Sequence, residues 1–130
     1  MHMAKAAIAV LLMGGAAQAA SGRVTVPLPD TSGLSREEGQ ALLAELANVN
    51  VITSNCPGYE ITDGEWMLIT GTGDKLAAQL GLDPTSYDRS FYGPAFKLLD
   101  DPGACDRIGP QARPLIDRLI GMGGRPEVGQ

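Results

Sequence analysis

The fold is decided between residues 56 and 105, which read CPGYEITDGEWMLITGTGDKLAAQLGLDPTSYDRSFYGPAFKLLDDPGAC. This stretch holds both cysteines of the chain together with its one tryptophan, three tyrosines and two phenylalanines. We predict a structural disulfide between Cys56 and Cys105, because exported proteins with two cysteines usually pair them. Closing such a long loop removes roughly 4 kcal/mol of unfolded-state entropy. The alternative is a redox-active pair, which normally has the shorter spacing Cys-x-x-Cys.

Residues 1–19 have the pattern of a secretory signal peptide. A short positive region ends at Lys5, an apolar run occupies residues 6–13, and residues 17–19 read A-Q-A, a cleavage pattern. The apolar run is too short to span a bilayer. We therefore expect a periplasmic or secreted protein that begins near Ala20 and has no membrane span after cleavage. The alternative is an uncleaved N-terminal anchor.

Composition disfavours several classes of function. The formal net charge of −5 argues against nucleic acid and anionic lipid as partners. The one histidine, His2, belongs to the predicted signal peptide, so the mature chain would lack Ser-His and Cys-His pairs and the common zinc ligand sets. We predict no catalytic residue, no cofactor and no metal ion, and hence a protein that is not an enzyme.

The mature chain predicts one small all-α domain of four or five short helices closed by the disulfide. Residues 20–33 are rich in Pro, Gly, Ser and Thr and predict an extended N-terminal arm. Apolar residues at helical spacing then predict a helical domain over residues 34–124. Residues 125–130 form a polar tail.

Two capping boxes predict where the first two helices begin. Ser35 is followed three residues later by Glu38, and Thr62 is followed in the same way by Glu65. The first helix is expected to end near Asn50.

The second helix has an apolar face that we assign to the core. It consists of Trp66, Ile69, Gly73, Leu76 or Ala77, and Leu80. Gly71 and Gly73 each weaken this helix by roughly 1 kcal/mol relative to alanine. We expect either that another backbone packs against them or that the helix breaks in two there. Gly81 is expected to end the helix in the left-handed conformation, with Leu82 folding back.

Proline pairs divide the remaining chain. Asp83-Pro84 predicts the start of a third helix, and Gly93-Pro94 is expected to interrupt it. A last helix follows Gly109-Pro110. Its predicted inward-facing residues are Leu115, Ile116, Leu119 and Ile120.

Two short patterns resemble ligand sites but fail on spacing. Gly71-x-Gly73 begins a dinucleotide fingerprint, but Leu76 stands where the third glycine or alanine is required. Asp63 and Glu65 could offer oxygen ligands to calcium, yet they do not follow the order of a calcium loop. The helix dipole explains acidic residues in a first turn better.

Four aromatic residues within ten positions are the candidate surface for a partner or ligand. They are Tyr87, Phe91, Tyr92 and Phe96. Such stripes are often core, but four aromatic side chains cannot all face one way. The helical step turns Tyr92 about 100° from Tyr87 and Phe91, so we predict that Tyr92 is the aromatic residue most exposed at the surface.

The spacing of Cys56 and Cys105 around short helices resembles the small periplasmic acid-stress chaperones of the HdeA type. The resemblance covers the two cysteines and the all-α prediction, while the segments between them do not align. The Gly-Pro pairs at residues 93–94 and 109–110 depart from that family. The resemblance implies a domain that loosens at low pH and exposes apolar faces.

Our leading expectation is an exported, non-enzymatic helical protein that binds another envelope or secreted protein or supports an envelope assembly. The acid-stress chaperone is one alternative. A binder of small apolar ligands is another, and it predicts an apolar cavity near Trp66 and residues 87–96. An enzyme that uses paired carboxylates has the least support.

Overall fold

The structure is a computed structural model that describes residues 25–127. The predicted signal peptide, residues 20–24 of the arm and residues 128–130 of the tail lie outside the described residues. Within the described range the chain is all-α, as predicted, and has no strand. No helix there combines the length and the apolar character that crossing a membrane requires.

Six α-helices follow one another within residues 25–127. They are α1 Arg36–Asn55, α2 Asp63–Gln79, α3 Pro84–Tyr87, α4 Gly93–Lys97, α5 Ala104–Ile108 and α6 Ala112–Gly121. A π-helical turn, Asp88–Tyr92, joins α3 to α4, and 3₁₀ turns cover Leu98–Asp100 and Gly109–Gln111. Because these turns continue the helical path, the described part of the chain consists of four helical segments.

Both predicted capping boxes are present. The Ser35 hydroxyl accepts the backbone N–H of Glu38 at 3.1 Å, and the Glu38 carboxylate accepts the N–H of Ser35 at 2.8 Å. Thr62 and Glu65 repeat the arrangement at the start of α2, at 2.9 and 3.1 Å. The pattern is local, so the sequence alone was sufficient to place both helix starts.

The predicted end of α1 near Asn50 is wrong, since the helix continues to Asn55. Val51 and Ile52 are 3% and 0% exposed, so burial of these side chains holds the additional turn in place. Tertiary packing here outweighs the preference of β-branched residues for extended structure.

The disulfide between Cys56 and Cys105 is present, as predicted. Cys56 follows the last residue of α1, Cys105 lies in α5, and their Cα atoms are 5.7 Å apart. Beside it, the Tyr59 hydroxyl donates to the Asp106 carboxylate at 2.8 Å. The crosslink therefore fixes the end of α1 to α5.

The core surrounds α1, which contacts every other helical segment. Its buried side chains meet an inner face of α2 and an inner face of α6. Leu115, Ile116 and Leu119 of α6 are buried as predicted, but Ile120 is 40% exposed. That prediction is wrong because the helical step places Ile120 about 100° beyond Leu119, past the edge of the buried face.

Residues 25–33 lie against the domain without regular secondary structure. Lys75 donates to the carbonyl of Pro29 at 2.7 Å, while the side chain of Gln79 bonds both the hydroxyl and the carbonyl of Thr31. The backbone N–H of Arg125 donates to the carbonyl of Pro27 at 3.0 Å, which joins the two ends of the described chain.

The helix α2 is unbroken at its two glycines, and side chains rather than a second backbone approach them. A Cβ atom at Gly71 would lie 2.8 Å from Leu28, and one at Gly73 would lie 2.7 Å from the Tyr87 hydroxyl. Both predicted alternatives for this stretch are therefore wrong. The predicted stop is confirmed: Gly81 has φ +74°, and the N–H of Leu82 donates back to Ala77 at 2.9 Å.

Candidate binding surface

The Gly93-Pro94 pair does not interrupt the helical path, contrary to prediction, but it changes the helical type. The N–H of Gly93 donates to the carbonyl of Asp88, five residues earlier. Pro94 has no N–H, and in an α-helix its ring would clash with the carbonyl of Ser90. The wider π-turn over Asp88–Tyr92 relieves that clash, and the helical path continues without a break into α4.

The π-turn brings together the four aromatic residues that the sequence singled out. The ring centroids of Tyr87 and Tyr92 are 5.3 Å apart, those of Tyr87 and Phe91 are 6.3 Å apart, and those of Tyr92 and Phe96 are 6.2 Å apart. Our prediction of a 100° separation between two pairs assumed an α-helix and is wrong. The π-turn has more residues per turn than an α-helix, and the ring contact shows that Tyr87 and Tyr92 share a face although they are five residues apart.

A hydrogen-bonded asparagine joins Trp66 to this aromatic cluster. Asn50 of α1 donates from Nδ2 to the Tyr92 hydroxyl at 2.8 Å, and its Oδ1 accepts the indole N–H of Trp66 at 3.2 Å. Trp66 is 46% exposed, so its assignment to the core is wrong. The inner face of α2 is occupied by Leu68 and Ile69. The indole N–H of Trp66 needs a hydrogen-bond acceptor, and it finds one in Asn50 of α1, at the edge of the contact between α1 and α2.

Phe96 rather than Tyr92 is the aromatic residue most exposed within the described range, at 52%. Tyr92 is half-buried because its ring packs against those of Tyr87 and Phe96 and its hydroxyl is held by Asn50. We call Trp66, Tyr92 and Phe96 the aromatic surface. Phe91 is half-buried against the core and adds little exposed area.

Tyr87 forms the boundary between the aromatic surface and an open groove. Burial raises the pKa of Tyr87 well above its usual range, and the nearby Tyr92 hydroxyl and Asp74 carboxylate raise it further. The phenol is therefore neutral at physiological pH. The groove measures about 330 Å³ and is lined by Asp74, Ala77, Ala78, Leu82, Pro84 and Tyr87.

An ion pair between Glu65 and Arg113 connects the start of α2 to α6. Burial by itself would raise the pKa of Glu65, but hydrogen bonds from Arg113 and from the Thr62 N–H outweigh it and hold that pKa below its usual value. The pair lies at a helix junction and its Glu65 also caps α2, so its role is structural. Among residues 25–127 no group of three or more potential ligand side chains is arranged to hold a metal ion.

Comparison with protein-family models, with curated proteins and with solved structures found no match to this chain. The site must therefore be understood from its own geometry.

Sequence reasoning missed two members of this site, Asn50 and Asp74. The sequence does contain a signal for Asn50, because this polar residue stands between two apolar residues of α1, Val49 and Val51. The sequence contains no such signal for Asp74, because an acidic residue on the outer face of a helix is usually only solvated.

Proposed function

We propose that this protein is an exported, non-enzymatic binding domain that docks another envelope or secreted protein on the aromatic surface. The observation that carries the proposal is the exposure of Trp66 and Phe96, at 46% and 52%, next to Tyr92, whose ring lies 6.2 Å from that of Phe96 and whose hydroxyl shares Asn50 with Trp66. Large aromatic side chains dominate the binding energy of protein interfaces, and each can bury about 150–250 Å².

The aromatic surface is held in place before any partner arrives. Asn50 fixes both the Trp66 indole and the Tyr92 phenol, while Ala95, 0% exposed, holds α4 against α1 beside Phe96. A surface whose rotamers are already fixed loses little entropy on binding. This rigidity supports a docking role.

Charge indicates the chemistry of the partner. The chain carries 15 acidic and 10 basic side chains, so a partner with a basic rim around an apolar patch would be steered towards it. The predicted signal peptide and the disulfide support an oxidising compartment outside the cytoplasm as the place of encounter.

A photocrosslinking amino acid tests the proposal directly. Placed at Phe96 in the exported protein, a benzoyl-phenylalanine is expected to capture one defined partner, whereas at Ile120, which is 40% exposed on α6, it is not. With that partner purified, Trp66→Ala and Phe96→Ala should each weaken the dissociation constant about tenfold or more. The matched control, Ile120→Ala, should leave it unchanged. Equal capture from both positions, or no capture from Phe96, would contradict the proposal.

An acid-triggered chaperone is a second candidate, favoured by the carboxylates that cap helices. Backbone hydrogen bonds from Ser35 hold the pKa of Glu38 low, and those from Ser86 do the same for Asp83. Groups of this kind stabilise the fold above their usual pKa and lose that contribution as the pH falls through the lowered value. If the chain suppresses aggregation of a denatured client at pH 3 but not at pH 7, this function gains support; no suppression at pH 3 excludes it.

A binder of small apolar ligands has less support. Around Thr25, Val26, Leu28, Met67 and Gly71 the described residues form an apolar pocket of only about 160 Å³. Typical ligand sites measure roughly 300–1,000 Å³. The groove beside Tyr87 is larger, about 330 Å³, but it is open to solvent and carries the exposed Asp74 carboxylate, which an apolar ligand would not match.

A further inference from the structure

The groove beside Tyr87 has apolar walls that two helix ends supply. Gly81 turns the chain, and Leu82 folds back over the end of α2, where its N–H bonds the carbonyl of Ala77 at 2.9 Å. Pro84, the first residue of α3, and the side chain of Tyr87 also line the groove. The opening of about 330 Å³ accommodates the stem of one long side chain.

The charge at this groove is negative and is not neutralised by the domain. Asp74 lines the groove, is exposed, and forms no ion pair within residues 25–127. The neighbouring Lys75 does not compensate for it, because its ammonium donates to the Pro29 carbonyl of the arm at 2.7 Å. Asp83, between the lining residues Leu82 and Pro84 in the sequence, adds a second carboxylate to this part of the chain and caps α3 by accepting the N–H of Ser86 at 2.7 Å.

Tyr87 adds an aromatic face to the carboxylate. Its hydroxyl lies against Gly73 of α2, and its ring lines the groove that Asp74 also lines. A guanidinium group is weakly hydrated, stacks on aromatic rings and pairs with carboxylates, and its three-carbon stem is apolar. An arginine side chain therefore matches each part of the groove. Its apolar stem would pack on Leu82 and Pro84, and its planar cation would lie between the Tyr87 ring and the Asp74 carboxylate.

We propose that this groove is the socket for an arginine side chain of the partner, adjacent to the aromatic surface. The inference rests on the proposed function, since it specifies which residue of the docked protein enters the domain. The socket and the aromatic surface are neighbours, because Tyr87 lines the socket and its ring centroid lies 5.3 Å from that of Tyr92. A partner arginine placed there would complement the acidic charge of the domain.

A pair of small probes tests the socket without the partner. N-butylguanidinium reproduces the arginine stem and head, and N-butylurea is its neutral isostere. Titration of each into the mature protein is followed by the ¹³C-methyl resonances of Ala77, Ala78 and Leu82. We expect saturable shifts of these methyl groups with butylguanidinium in the millimolar range, and at least about fivefold weaker binding of butylurea.

Two variants of equal charge separate a local effect from a global one. Asp74→Asn should weaken butylguanidinium binding to the level of butylurea. Asp100→Asn, an exposed acid at the far end of the segment that begins with α3, should leave the binding as in the unmodified protein. Equal binding of the two probes, equal effects of the two variants, or shifts confined to other methyl groups would each overturn the socket.

The outcomes distinguish the two proposals. If butylguanidinium binds as expected while the crosslinker at Phe96 captures nothing, the socket exists and the docking function is wrong. If the crosslinker captures a partner but the probes do not discriminate, the docking function stands and the socket is wrong.

Discussion

Replacing Gly73 by alanine would place a methyl group where the Tyr87 hydroxyl now lies. The new Cβ atom would be 2.7 Å from that oxygen and 3.7 Å from the nearest atom of Leu43. Alanine in the middle of α2 should gain about 1 kcal/mol in helix propensity, whereas overpacking of a well-packed site costs about 1–3 kcal/mol. We therefore expect Gly73→Ala to leave the free energy of unfolding unchanged or to lower it by up to about 2 kcal/mol.

The same substitution should change sign once the hydroxyl is removed. In a Tyr87→Phe background the nearest atoms to the new methyl group are Leu43 at 3.7 Å and a ring carbon of residue 87 at 4.0 Å, both ordinary contacts. Gly73→Ala should then stabilise the protein by about 1 kcal/mol. The double-mutant cycle should give a coupling of about 1–3 kcal/mol between the two positions.

Urea unfolding followed by the fluorescence of the single tryptophan measures all four proteins of the cycle. A matched control is Gly71→Ala, whose new methyl group would meet the flexible end of Leu28 and should have the same effect in both backgrounds. If Gly73→Ala stabilises both backgrounds equally, Tyr87 does not lie against α2, and both the aromatic cluster and the groove are wrongly described.

Three further predictions concern stability. The double variant Cys56→Ser/Cys105→Ser should lose about 2–5 kcal/mol of unfolding free energy in urea, and a loss below 1 kcal/mol would mean that the crosslinked loop is already compact when unfolded. Asn50→Ala removes the hydrogen-bond partner of the Tyr92 hydroxyl and of the Trp66 indole N–H, so it should lower the free energy of unfolding by about 1–3 kcal/mol and shift the tryptophan emission. The control Asn48→Ala, on the same helix, should lower it by less than about 0.5 kcal/mol. Glu65 has a lowered pKa, so the stability advantage of the unmodified protein over Glu65→Gln should be full at pH 7 and shrink as the pH falls below the usual value of 4.5. If the difference in unfolding free energy between the two proteins stays constant down to pH 3, Glu65 does not contribute to the loss of stability in acid.

Features set by neighbours in the sequence could be predicted. The capping boxes at Ser35 and Thr62 and the left-handed stop at Gly81 each depend on a few adjacent residues, and each is present. The disulfide followed from the number of cysteines and from the predicted export, because two cysteines allow only one pairing. The all-α class followed from the helical spacing of apolar residues along the chain.

Features set by packing across the chain could not be predicted. The end of α1 depends on burial of Val51 and Ile52 against segments that come much later. The place of Trp66 depends on Asn50, sixteen residues earlier, which offers its indole N–H a partner at the surface rather than in the core. The exposure of the aromatic residues depends on a π-turn, and helical periodicity assumes that none is present.

Counted in residues, the segment between Tyr87 and Tyr92 is one residue longer than an α-helix needs to bring two side chains onto the same face. The π-turn accommodates this extra residue while the rings of Tyr87 and Tyr92 stay in contact. Deletion of the exposed Ser90 would place the two tyrosines four residues apart in a regular α-helix, but the Pro94 ring would then clash with the carbonyl four residues before it, which would be that of Arg89. Insertion of one more residue would instead rotate Phe96 away from the two tyrosines. The length of this segment is therefore constrained in both directions, by the proline on one side and by the aromatic contacts on the other.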